Sequence, residues 1–90
     1  MTPEEELGRA QEAEFILGNT LFKNAVQAVE EALLNGIKRS PIKETELREK
    51  LCQQMIALEA VVGQLKSHME TGKLAEETIK RRAASRQARE

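Results

Sequence analysis

The stretch Thr45–Glu70, TELREKLCQQMIALEAVVGQLKSHME, constrains the chain more than any other. Its apolar residues Leu47, Leu51, Met55, Leu58, Val62, Leu65 and Met69 recur at intervals of 4, 4, 3, 4, 3 and 4. That spacing draws one stripe along an α-helix and comes close to a coiled-coil heptad seam. Glu46, Lys50, Gln54 and Lys66 fall off the stripe. At about 1.5 Å per residue the helix is roughly 39 Å long, more than so short a chain encloses by itself. Such a helix needs a partner along most of its length.

A second stripe precedes it. Phe22, Val26, Val29, Leu33 and Ile37 are spaced 4, 3, 4 and 4, flanked by Ala25, Ala28 and Ala32, and predict a helix over about 21–38. Lys38 and Arg39 suit its negative end, and Ser40-Pro41 stops it. The connection Arg39–Glu44 has the length that joins antiparallel neighbours, so the two stripes predict a helical hairpin. Upstream, Thr2-Pro3-Glu4-Glu5 reads as a helix start: a capping Thr, a Pro at the first helical position and Glu at the positive end of the dipole. This first helix, about 3–17, has a weak stripe and lies against something else instead of organising it. Gly18 suits a C′ position, and Asn19 or Thr20 a new cap.

Downstream, Thr71-Gly72-Lys73-Leu74 is expected to end the long helix, with Gly72 left-handed and Leu74 folded back as a clasp. Residues 73–90 then form a basic tail, partly helical or disordered, in which Lys80–Glu90 holds no side chain more apolar than Ala. Charge is divided accordingly. Residues 1–72 hold eight Lys and Arg against twelve Glu, a net −4, while residues 73–90 hold six against three, a net +3. An acidic body and a basic tail meet different surroundings, or meet each other in a neighbouring subunit.

The chain of 90 residues is one small domain with two aromatics, Phe15 and Phe22, and neither Trp nor Tyr. A core without large aromatics gains little free energy per residue, and oligomerisation is the common remedy when no disulfide or metal helps. The lone Cys52 forms no intrachain disulfide. MTPEEEL is too acidic for a signal peptide, and no apolar run approaches the roughly 20 residues of a membrane span. The expected setting is a cytoplasm, with no membrane contact.

Candidate chemistry is sparse. His68 and Cys52 lie sixteen residues apart on one helix, roughly 24 Å, too far to share a metal. His68 reads as a solvated residue near a helix C-terminus, and Cys52 as a small buried or interfacial one with no base beside it. Asp is absent, and Glu30-Glu31 and Glu76-Glu77 read as solvated faces. The five Gly residues make no phosphate loop. In the hairpin, Gly36 falls opposite the early fifties and Gly63 near the start of the second helix; either permits close helix contact. No catalytic residue, cofactor or metal is expected. The basic residues Lys80, Arg81, Arg82, Arg86 and Arg89 are the candidates for nucleic-acid contact, limited to phosphates because no aromatic is interleaved among them.

Three stretches carry a resemblance: Asn19-Thr20-Leu21-Phe22-Lys23-Asn24-Ala25, then Ser40-Pro41-Ile42-Lys43-Glu44-Thr45-Glu46-Leu47-Arg48-Glu49-Lys50-Leu51, then Glu70-Thr71-Gly72-Lys73-Leu74-Ala75. Over about residues 9–76 the chain resembles a family of small, uncharacterised helical proteins of tailed bacteriophages and prophages. It departs from that pattern at Thr20, where the family has Pro, and at Asn35 and Cys52, where it has aromatics. The resemblance implies a viral setting, in the cytoplasm of the host bacterium or in the virion, and a role without catalysis.

The expectation is therefore an all-α protein: a helical hairpin with a long C-terminal helix, an N-terminal helix and a basic tail, assembled with itself or onto a larger phage or host protein. The interface is expected on the two stripes, Phe22, Val26, Val29, Leu33 and Ile37 with Leu47, Leu51, Met55, Leu58, Val62, Leu65 and Met69. Three functions follow from it. The first is a virion component or assembly factor acting through helix packing. The second is an inhibitor of a host defence enzyme, or a sponge for a host signal, whose acidic body occludes a basic surface. The third is an accessory nucleic-acid binder using the tail.

Overall fold

The computed structural model describes the backbone of residues 1–89 and the side-chain surroundings of residues 1–87. The described chain is all-α: α1 Pro3–Gly18, α2 Thr20–Arg39 and α3 Thr45–Arg89. Each boundary has a local cause. Thr2 Oγ1 accepts the Glu5 N–H at 3.1 Å, ahead of Pro3 and the acidic turn Glu4–Glu6. Asn19 alone separates α1 from α2; its extended backbone turns the chain, and its side-chain oxygen accepts the Phe22 N–H at 2.9 Å. Gly18 belongs to α1, and no glycine has positive φ among the described residues, so the turn is made by the cap and not by a left-handed glycine.

At the far end of α2, Ser40 closes the helix. Its N–H donates to the carbonyls of Gly36 and Ile37 at 3.0 and 3.3 Å, and its hydroxyl donates to the Ile37 carbonyl at 2.6 Å. Pro41 then removes the donor that another turn would need. The Pro41–Glu44 turn is held by the Glu44 N–H on the Pro41 carbonyl at 3.0 Å, and α3 begins.

The expected stop at Thr71-Gly72 does not occur. α3 runs on to Arg89, and Gly72 sits in it as a helical residue. Gly72 is buried, and a methyl group there would overlap the Ala10 side chain, so the glycine serves close helix approach and not termination. The Thr71 and Thr78 hydroxyls turn back onto the carbonyls of Ser67 and Leu74, each at 3.0 Å. Leu74, expected to fold back, instead stands 66 % exposed on the helix. The tail expected to be partly helical or disordered is the last part of this helix.

Two compact units share α3: Gly18–Gly63, and Met1–Leu17 with the part of α3 from Gln64 on. In the first, α2 and the start of α3 form the expected hairpin. Phe22, Val26, Leu33 and Ile37 are half-buried, as are Leu51, Met55, Leu58 and Val62. Gly36 lies under Leu51, whose Cδ1 would come within 3.3 Å of a Cβ there, so that glycine does permit a close approach. Gly63 meets nothing within 4 Å and permits none. In the second unit, α1 packs on α3 through small residues. Ala10, Ala13 and Ala75 are 8, 2 and 3 % exposed and, with Gly72, are the buried positions among the described residues. No helix among the described residues is long and apolar enough to cross a membrane.

Candidate interaction surfaces

Helix periodicity decides which side chains remain available once each unit has formed. Of the twelve stripe residues, most are engaged within the chain: Phe22, Val26, Leu33 and Ile37 by their half-buried position in the hairpin, and Leu51, Met55, Leu58 and Val62 likewise. Leu65 and Met69 belong to the other unit. Leu65 shares a shallow hollow with Ala13 and Ile16, and Met69 another with Leu7 and Ala10. Val29 and Leu47 remain 47 and 42 % exposed, at the margin of the hairpin seam.

Several large apolar side chains stand in solvent that the stripes did not include: Leu21, Ile56 and Val61 in the hairpin unit at 78, 64 and 58 % exposure, and Phe15 in the other. Leu21, Ile56 and Val61 each lie one residue off a stronger row, and Phe15 lies on a helix whose weak stripe singles out no face. Ala10, Ala13, Gly72 and Ala75 were missed for a different reason, since small residues leave no trace in a hydrophobic pattern. Their signal is the paired spacing of three on each helix, which places small surfaces on one face of each.

The basic residues are ordered along α3. Lys80 Nζ is 3.4 Å from Glu76 and an Arg81 guanidinium nitrogen 3.9 Å from Glu77, both one turn apart on the same helix. Arg82 reaches Glu4 of α1 at 3.6 Å, which joins the two ends of the sequence within one chain. All three pairs are more than half exposed and contribute little to stability, ~0–1 kcal/mol each. Arg86 is exposed, and the side chain of Arg89 lies outside the described residues.

Cys52 is exposed within the chain and so not buried as one of its two expected positions had it, because it lies off the hairpin row on the flank of α3 that carries Glu49 and Ile56 one turn away. His68 is also placed differently. Since α3 continues to Arg89, His68 is not near a helix terminus; it is half-buried, lining a hollow with Arg9, Glu12, Ala13, Ile16 and Leu65. α1 thus supplies an acid and a base around the histidine that its own helix does not. Among the described residues, no three of His, Cys and Glu gather as a metal site would require.

What this molecular surface offers is helix faces for other helices, together with a shallow groove where α1 crosses α3. Comparison of the chain with protein-family models, with curated proteins and with solved structures finds no match.

Proposed function

We propose that this is a small non-enzymatic interaction protein of a tailed bacteriophage, a virion component or assembly factor, which acts by packing helices against a partner. One observation carries the reading. Among the described residues the buried positions are Ala10, Ala13, Gly72 and Ala75, whereas Phe15, Leu21, Ile56, Val61 and Leu74 are all more than half exposed. Large apolar groups left in water while small ones are buried are the arrangement of a subunit whose remaining cover comes from elsewhere.

The phage setting rests on the sequence resemblance. Its three stretches coincide with the Asn19 cap and the Ser40–Glu44 turn of the hairpin and with the contact of Gly72 on Ala10 in the other unit. The nucleic-acid reading is the alternative, in which phosphates would displace the carboxylates from the exposed pairs of Lys80, Arg81 and Arg82. The test is sedimentation of the purified protein with purified phage particles and, separately, with host extract or DNA. Saturable binding to particles at fixed stoichiometry is expected. Saturable binding to one host enzyme with loss of its activity would move the assignment to the inhibitor reading.

A further inference from the structure

The hairpin of α2 and early α3 has two unlike sides. Passing round α2 at about 100° per residue from the row that meets α3, one flank carries Leu21, Ala25, Val29 and Ala32, and the other Lys23, Gln27, Glu30 and Leu34. On α3, the flank on the first side carries Leu47, Lys50, Gln54 and Val61, the other Glu49, Cys52, Ile56 and Glu59, so the first side holds no carboxylate and the second holds three. Both helices are right-handed and run antiparallel, so the two apolar flanks lie on the same side of the hairpin. Ala25 and Ala32 are exposed, as are Leu47 and Val61. Arg39 and Lys50, the charged residues nearest this side, lie at its end and its edge, where long side chains reach water.

We infer that this face is covered by a second copy of the chain, related by a two-fold axis that runs along the hairpin. Such an axis lays α2 of each copy over α3 of the other and makes every neighbouring helix pair antiparallel. Because Gly36 lies at the level of Leu51, Ala25 lies at that of Val61 and Ala32 at that of Gln54. The small side chains of each α2 therefore receive the larger ones of the partner's α3, which is the self-complementarity a two-fold contact needs. A face with few charges also suits its own copy, since little on it needs an opposite charge from the partner. A standard stable contact covers about 800 Å² per partner, about a ninth of the 7266 Å² the chain exposes.

This inference rests on the interaction reading above and names one of its partners. Light scattering on the full chain at about 100 μM should give twice the 10.1 kDa of one chain. Ala32→Glu should return it to a single chain with helicity kept, and Leu34→Glu, on the opposite flank, should leave the dimer intact. Should Ala32→Glu lose its helices, a mixed-cysteine experiment decides. A Cys52→Ala, Ala25→Cys chain and a Cys52→Ala, Val61→Cys chain should cross-link when mixed and not when separate. A wild type that runs as one chain, a dimer indifferent to Ala32→Glu, or mixed chains that fail to cross-link would each overturn the proposal. A single-chain wild type that still binds phage particles sinks the dimer and spares the interaction reading; a dimer that binds nothing does the reverse.

Discussion

Three glycines on helices with the same local geometry have different surroundings, and those surroundings set the sign of a substitution. Gly63 meets nothing within 4 Å, so Gly63→Ala keeps only the gain in helix propensity, about 1 kcal/mol of added stability. Gly72→Ala gains the same propensity but drives a methyl group into Ala10, whose Cα lies 3.6 Å from the added carbon and cannot rotate away. The crossing of α1 and α3 must widen, and a net loss of about 1–3 kcal/mol is expected. Gly36→Ala falls between them, since Leu51 can shift by a few tenths of an ångström. Urea denaturation of the three variants followed by circular dichroism orders them; a stabilised Gly72→Ala would mean that Ala10 does not sit where we place it. At Asn19 the side-chain oxygen caps the first turn of α2, and Asn19→Ala should cost ~1 kcal/mol in the same measurement.

The helices differ in what holds them. α2 and early α3 are joined by half-buried Leu, Val, Ile, Met and Phe side chains, so Leu58→Asp puts a charge between two apolar rows and should cost several kcal/mol. α1 is held by Ala10 and Ala13 against Gly72 and Ala75, with the Arg82–Glu4 pair near its start. It follows that the end of α3 is needed for α1. A chain ending at Leu74 should release α1, whose amides then exchange with solvent at rates near those of an unfolded peptide, while the α2–α3 hairpin keeps its protection. A chain ending at Arg82 retains Ala75 and the ion pair and should protect α1 as the full chain does. Equal α1 protection in both truncations would show that Ala75 and its neighbours contribute nothing to docking.

At the scale of the molecule, stability and association are one quantity if the uncovered face is filled by a second copy. The melting temperature should then rise with protein concentration, by about 4 °C per tenfold for a pair of chains of this length. A melting temperature independent of concentration from micromolar to millimolar speaks for a folded single chain. Chemistry at Cys52 and His68 is a separate matter. Cys52→Ala with His68→Gln should keep helicity, mass and particle binding; loss of binding alone would point to the hollow that Arg9 and Glu12 share with His68. If the basic residues hold phosphates, nucleic-acid affinity should fall steeply with salt and disappear in the chain ending at Leu74.

The sequence by itself determined the three helix starts, the Thr2 and Asn19 caps and the hairpin, because those signals are local or periodic. A cap bonds to a backbone N–H three residues away, as Asn19 does to Phe22, and a stripe of Leu and Val declares its face by spacing alone. Tertiary structure alone decided the course of α3 beyond Gly72, the seat of α1 and the surroundings of His68. A glycine after a long helix reads locally as a stop, and only Ala10, distant in the sequence, shows that its missing side chain is needed for contact. Alanine carries no pattern that hydropathy can register, so the close contact of Ala10 on Gly72 was the least legible. The open flank of the hairpin belongs to the same class: Leu21 and Val61 count as off-row residues until the rows beside them have been joined.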